Sequence, residues 1–159
     1  MIRTFVINIL SLVLLPTLLS CEMIPDPIVT DLPEEEPVTM PAAIKITVSG
    51  KSLPVKIEDN VATRALVAAL REASITFEAH DYGGFEKVGG LGRTFPSSDS
   101  QMTALPGDVI LYSGNQIVLF YGSNSWSYTR IGKIQYGTLD ELKTFLQAGK
   151  GTISVTLSL

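Results

Sequence analysis

From Ile44 onward, apolar and polar positions alternate with a period of two. Ile44, Ile46 and Val48 alternate with Lys45, Thr47 and Ser49, and Leu53, Val55 and Ile57 alternate with Pro54, Lys56 and Glu58. Successive side chains of a strand point to opposite faces, so each run has one face for a core and one for water. The Gly50-Lys51 turn between them makes the pair a β-hairpin. Asp59 or Asn60 then caps a segment, Val61 to Ala73, in which Ala62, Ala65, Leu66, Ala69 and Leu70 recur at helical spacing. Its small residues suit close packing on a sheet. Ile75, Phe77 and Ala79 resume the alternation.

The stretch from His80 to Met102 carries six glycines or prolines and no sustained period, which predicts irregular structure. It also holds most of the side chains capable of chemistry. Strands return over Asp108–Tyr112 and Gln116–Tyr121, joined by Ser113-Gly114-Asn115, and again over Tyr128–Ile134. Thr138 and Glu141 have the spacing of a capping box. The helix behind it buries Leu142, Phe145 and Leu146 and stops at Gly149. Ile153, Val155 and Leu157 alternate with polar residues in a closing strand.

Seven or eight strands and two short helices result, without a strand–helix–strand rhythm, which excludes a doubly wound parallel sheet. Both terminal strands alternate strongly. Closing the sheet removes its edges, so a mainly β, mainly antiparallel mixed barrel, closed or nearly closed, is expected over residues 44–159 as one domain.

The first 43 residues have a different character. Residues 1–20 read as an export signal: Arg3 is the positive start, and Phe5 to Leu19 is almost wholly apolar but too short for a membrane span. Directly after Leu18-Leu19-Ser20 stands the chain's single cysteine, Cys21, and this arrangement resembles the lipobox of bacterial lipoproteins. The resemblance implies cleavage before Cys21 and lipidation of its thiol. It implies anchorage in a bacterial cell envelope, on the outer membrane where the cell has two. A thiol so consumed leaves no disulfide and no nucleophilic or zinc-binding cysteine. Residues 21–43 then carry five prolines, which predicts an extended tether behind the lipidated cysteine.

Charge sharpens this division. Six of the sixteen acids lie in residues 22–43, which hold no base, leaving ten acids against eleven bases in residues 44–159. The acidity belongs to the tether and the domain is nearly neutral. Such a domain lacks the basic cluster that nucleic-acid binding requires.

Several motifs together resemble a bacterial cyclophilin-like family. They are the Ile44–Ile57 hairpin with Glu58-Asp59-Asn60 and the Ala-rich helix, then His80-Asp81-Tyr82-Gly83-Gly84-Phe85-Glu86-Lys87. They continue with Leu105-Pro106-Gly107-Asp108, Leu111-Tyr112 and Ser127-Tyr128-Thr129-Arg130-Ile131-Gly132-Lys133-Ile134. The resemblance runs from about Ile44 to Leu157 and implies a cyclophilin-like β-barrel of unassigned activity. Cyclophilins themselves are peptidyl-prolyl isomerases with a catalytic arginine in a Phe-His-Arg stretch after the first helix. The corresponding residues here, Ile75 to Tyr82, contain no arginine before Arg93, and Trp126 and His80 lie outside the matching motifs.

Other chemistries find few residues. His80-Asp81 has the composition of an oriented base, but no serine occupies a Gly-x-Ser-x-Gly elbow and neighbours on a strand diverge. Glu78, Asp81 and Glu86 are too few for a metal site, and nothing implies a cofactor. Gly89-Gly90-Leu91-Gly92-Arg93 lacks the helix that a phosphate loop needs. The candidate ligand-binding set is Tyr82, Glu86, Lys87, Arg93, Tyr128 and Arg130, with Tyr128 and Arg130 on one strand face. An alternative is that Asp81 or Glu86 pairs with Arg130 to fasten the irregular segment. The sequence therefore favours a non-catalytic binding or structural module for a peptide, glycan or small molecule. A diverged prolyl isomerase is the second expectation.

Overall fold

The computed structural model describes residues 39–159; the signal, Cys21 and most of the tether lie outside them. Nine strands and two helices follow in the order β1 (Ala43–Val48), β2 (Lys51–Ile57), α1 (Val61–Glu72), β3 (Ile75–Tyr82), β4 (Glu86–Gly90), β5 (Ser100–Ala104), β6 (Asp108–Tyr112), β7 (Gln116–Phe120), β8 (Asn124–Ile134), α2 (Leu139–Phe145) and β9 (Ile153–Ser158). Eight strands close into a barrel in the order β2-β1-β9-β3-β4-β7-β6-β8, and β8 returns to β2. The ninth, β5, pairs with the first half of β8. All pairings are antiparallel, so no parallel component of the expected mixed sheet occurs among them.

The segment expected to be irregular is largely strand. It contains the end of β3, all of β4 and most of β5, while β8 begins at Asn124 rather than Tyr128. The mostly polar sequences of β5 and early β8 have weak patterns of their own. Each supplies the other's hydrogen-bond ladder, from Ser100↔Tyr128 to Ala104↔Asn124.

Local signals located the other elements, although the first turn lies one residue before the expected Gly50-Lys51 and Lys51 already belongs to β2. The β1–β2 turn is Ser49-Gly50, both residues with positive φ, a conformation that glycine adopts without Cβ strain. Asn60 is the cap of α1: its side chain accepts from Thr63 N at 3.0 Å and donates to Arg130 O at 2.7 Å. One side chain thus satisfies a helix terminus and ties the helix to β8. The α2 capping box is complete, with Thr138 Oγ1 accepting from Glu141 N and Glu141 Oε2 accepting from Thr138 N.

The inward faces form the main core. Ile44, Ile46 and Val48 meet Val155 and Leu157 of β9, Leu66 and Val67 of α1, and Leu142 and Phe145 of α2. A second apolar cluster lies on the opposite face of the sheet: Ala104, Ile110, Val118, Phe120 and Tyr128, with Phe85, Val88, Met102 and Tyr112 packed against it. Apolar residues on both faces explain why Asp108–Tyr112 and Gln116–Tyr121 read as continuous apolar runs rather than alternating ones.

Closure depends on one close approach. In the β2–β8 pair Ile57 stands opposite Gly132, and a Cβ there would lie 2.3 Å from the Lys56 carbonyl oxygen. Backbone cannot yield as a flexible side chain does. Gly132→Ala is expected to lower unfolding free energy by about 1–3 kcal/mol. A denaturant midpoint equal to that of the unsubstituted chain would show that the seam tolerates a side chain.

Candidate functional site

The second cluster is the floor of a groove. Register places His80 opposite Val88, Tyr82 opposite Glu86, Glu86 opposite Phe120, Val88 opposite Val118, and Tyr112 opposite Gln116. Period-two alternation then puts these residues on the outer face of the barrel together with Asn124, Trp126 and Tyr128 of β8. They line a groove of about 430 Å³ whose residues are His80, Tyr82, Glu86, Val88, Tyr112, Gln116, Val118, Asn124, Trp126 and Tyr128.

Its aromatic residues form a contiguous layer. Phe85 stacks on Phe120 at 6.3 Å, Phe120 meets Tyr128 edge-on at 5.8 Å, and Tyr128 meets Tyr112 edge-on at 6.2 Å. Edge-to-face contacts fix ring orientation as well as burying area. Asn124 Nδ2 donates to Tyr128 Oη at 3.0 Å. Above this floor, Tyr82 and Trp126 stand 62 % and 56 % exposed, which is unusual for such large rings.

Glu86 is the electrostatic centre. Only 6 % of its surface is exposed, and no donor reaches its Oε2. Burial pushes its carboxyl up to about 7. The Tyr121 hydroxyl is pushed up to about 12, by burial first and then by its hydrogen bond to Asp81 and the charges of Asp81 and Glu86. Tyr128 is raised by burial, partly offset by Asn124 and reinforced by Glu86 and Tyr112.

Of the six residues nominated from sequence, the groove unites Tyr82, Glu86 and Tyr128; the other three lie elsewhere. Lys87 faces the other side of the sheet, fully buried, with Nζ 2.9 Å from Asp81 Oδ2 and donating to the Gly151 carbonyl. Arg93 is exposed in the segment after β4 and does not line the groove. Arg130 shares the outer face with Tyr128 but turns to Asp108 at 3.1 Å and Glu58 at 3.4 Å. It lines a smaller neighbouring hollow with Glu58, Asn60 and Ser98. The alternative pairing of Arg130 with Asp81 or Glu86 is thus replaced by Glu58 and Asp108. Gly89-Gly90 belongs to β4, which explains why no helix follows it.

The residues missed from sequence are Tyr112, Gln116, Asn124 and Trp126, with His80 as a lining group. Trp126 and Tyr128 are two apart, and that spacing was the available signal. It went unused because Asn124–Ser127 reads as a polar loop without knowledge of β5.

A larger concavity of about 1020 Å³ lies between the β1–β2 turn and α2. Its polar groups include internally bonded ones, such as Gln147 to Ser49 and Glu141 in the capping box. Among the described residues, the outer groove alone combines exposed rings with a buried carboxylate oxygen that lacks a partner. Among the described residues, no three His, Cys, Asp or Glu side chains are grouped to hold a metal ion.

The fold and groove define a class: a closed antiparallel barrel with two helices and an aromatic groove on its outer face. The chain belongs to the cyclophilin-like family, whose model matches residues 46–158. It is similar to the solution structure of a hypothetical protein from Archaeoglobus fulgidus, with a TM-score of 0.51 and 19 % identity over 74 % of this chain and 93 % of that one. At that identity the likeness concerns the fold alone. No curated protein matches the chain.

Proposed function

We propose that this cyclophilin-like barrel is a non-catalytic binding module carried by a bacterial lipoprotein anchored through Cys21. The observation that carries the binding reading is the outer groove, in which exposed Tyr82 and Trp126 overhang a packed aromatic floor. Exposed aromatic rings on a rigid scaffold are suited to hold a peptide, glycan or small molecule at small entropic cost. The reading of the anchor rests on Leu18-Leu19-Ser20-Cys21 and on the acidic, proline-rich stretch behind it. Two lipid signals already suffice for stable attachment, and a lipidated N-terminal cysteine of this kind supplies three chains.

Prolyl isomerisation needs a donor directed at the twisting amide. No arginine lines the groove, and Arg130 is engaged by Glu58 and Asp108. This favours binding over turnover. The purified chain is expected to leave the uncatalysed isomerisation rate of a short proline peptide unchanged. Acceleration abolished by Arg93→Ala or Arg130→Ala would contradict the reading. For the anchor, Cys21→Ala is expected to move the protein from the membrane to the soluble fraction, and unaltered fractionation would refute it.

A further inference from the structure

The groove is unbalanced in charge. Its lining contains one carboxylate, Glu86, and neither lysine nor arginine. Lys87 faces the opposite side of the sheet, where Asp81 and the Gly151 carbonyl hold it, and Arg130 is held by Glu58 and Asp108. Glu86 therefore has no cationic partner among the described residues, and no donor reaches its Oε2. Its partners in register, Tyr82 and Phe120, are both aromatic. Taking a carboxylate out of water is costly unless a positive charge or donors compensate it.

The surrounding rings favour the same kind of ligand. The face of an aromatic ring carries negative potential and attracts cations, most strongly where water is displaced. A neutral ligand offers Glu86 at most a hydrogen bond and an anionic one repels it, whereas a cation satisfies carboxylate and rings together.

We propose that the groove binds an alkylammonium group, with Glu86 as its counter-charge and the rings of Tyr82, Tyr112, Trp126 and Tyr128 as its walls. This rests on the binding reading above and names its ligand class. The ammonium group belongs either to a small free amine or to a lysine side chain of a peptide. Because burial holds the Glu86 carboxyl up to about 7, a bound cation favours its ionised form, and affinity rises with pH through that range. The other titratable groups lining the groove are His80 and Tyr82 of β3, Tyr112 of β6 and Tyr128 of β8; Tyr121, after β7, points to Asp81 on the opposite face but feels the Glu86 charge.

The chain's single tryptophan, Trp126, lies in the groove, so intrinsic fluorescence reads occupancy directly. The full chain, purified in a non-ionic detergent, is titrated with choline, with Nα-acetyl-lysine amide, and with neohexyl alcohol, the uncharged isostere of choline. At least one of the two cations is expected to bind saturably and roughly tenfold or more tighter than the alcohol. The tighter cation identifies the source, free amine or peptide lysine. Glu86→Gln is expected to weaken that cation by roughly tenfold or more and to remove the pH dependence, which His80→Gln retains. A denaturation curve for Glu86→Gln shows that the variant is folded. Equal affinity for alcohol and cations, or an unchanged affinity in Glu86→Gln, overturns the inference while leaving the barrel a binding module. Absence of saturable binding by either cation also overturns it. Turnover of a proline peptide defeats the binding reading itself.

Discussion

Asp81→Asn is expected to destabilise the barrel by about 3–5 kcal/mol, the usual cost of removing one partner from a buried ion pair. The Lys87 side chain is fully buried, so its charge relies on Asp81, which retains 21 % exposure, and on the Gly151 carbonyl. Asp81 also organises the loop ahead of β9. Its Oδ1 accepts from Tyr121 Oη and Gly149 N, and its Oδ2 accepts from Gly151 N. Burial works to raise its pKa, but the hydrogen bonds from Lys87, Gly149, Gly151 and Tyr121 outweigh it, so the carboxyl lies below its usual value. A group depressed in the folded state stabilises above its unfolded pKa, and that stability is lost as pH falls through the folded value. Acid unfolding should therefore begin earlier relative to neutral stability in the native chain than in Asp81→Asn, which has lost that pH-dependent part. The double substitution Asp81→Asn/Lys87→Met should recover much of the loss, because no buried charge is left unpaired. Urea midpoints at neutral pH compare the three proteins. A single variant as stable as the native chain would mean that water or another group solvates Lys87.

Glu86 carries the opposite expectation. Its carboxyl is raised to about 7 from an ordinary value of 4.5, so the folded state keeps a proton that the unfolded chain has released. Stability is then full below the unfolded pKa and declines as pH rises to about 7, by at most about 3 kcal/mol for this shift. Glu86→Gln should flatten this decline and be the more stable protein at about pH 8, less the cost of burying an amide. At about pH 4, where the native carboxyl is protonated, the two should differ little. Parallel stability profiles would indicate that Glu86 ionises freely. A carboxylate that weakens its own fold and faces an aromatic groove fits a group held there for a ligand rather than for packing.

Interactions of short range were legible in the sequence, and those set by distant partners were not. Thr138 and Glu141 meet within one helical turn, so their capping box was readable, as was the β1–β2 hairpin from its alternation. Asp59 and Asn60 were equally plausible caps; Asn60 takes the role by accepting from Thr63 N, and its amide also donates to Arg130 O, seventy residues away, a bond that Asp59 could not make. The closed barrel followed from alternation in the terminal strands, but β5 has five residues with no apolar rhythm and exists through its pairing with β8. That pairing also brings Trp126 to the groove. Tyr128 and Arg130 were rightly placed on one face, yet Asp108 and Glu58 draw the guanidinium away from Glu86. Lys87 was grouped with Glu86 as a ligand-binding candidate, yet alternation sends the two to opposite faces. Its burial depends on Asp81, its partner across the β3–β4 hairpin, and on the Gly151 carbonyl, and only the second lies far away in sequence.

If the outer groove is where this barrel meets its ligand, backbone NMR of the isotopically labelled full chain in detergent will locate the contact there. On titration with the tighter-binding cation, shifts should concentrate at Tyr82, Glu86, Tyr112, Trp126 and Tyr128. Shifts gathered instead around Ser49, Tyr136 and Gln147, in the concavity beside α2, would contradict it.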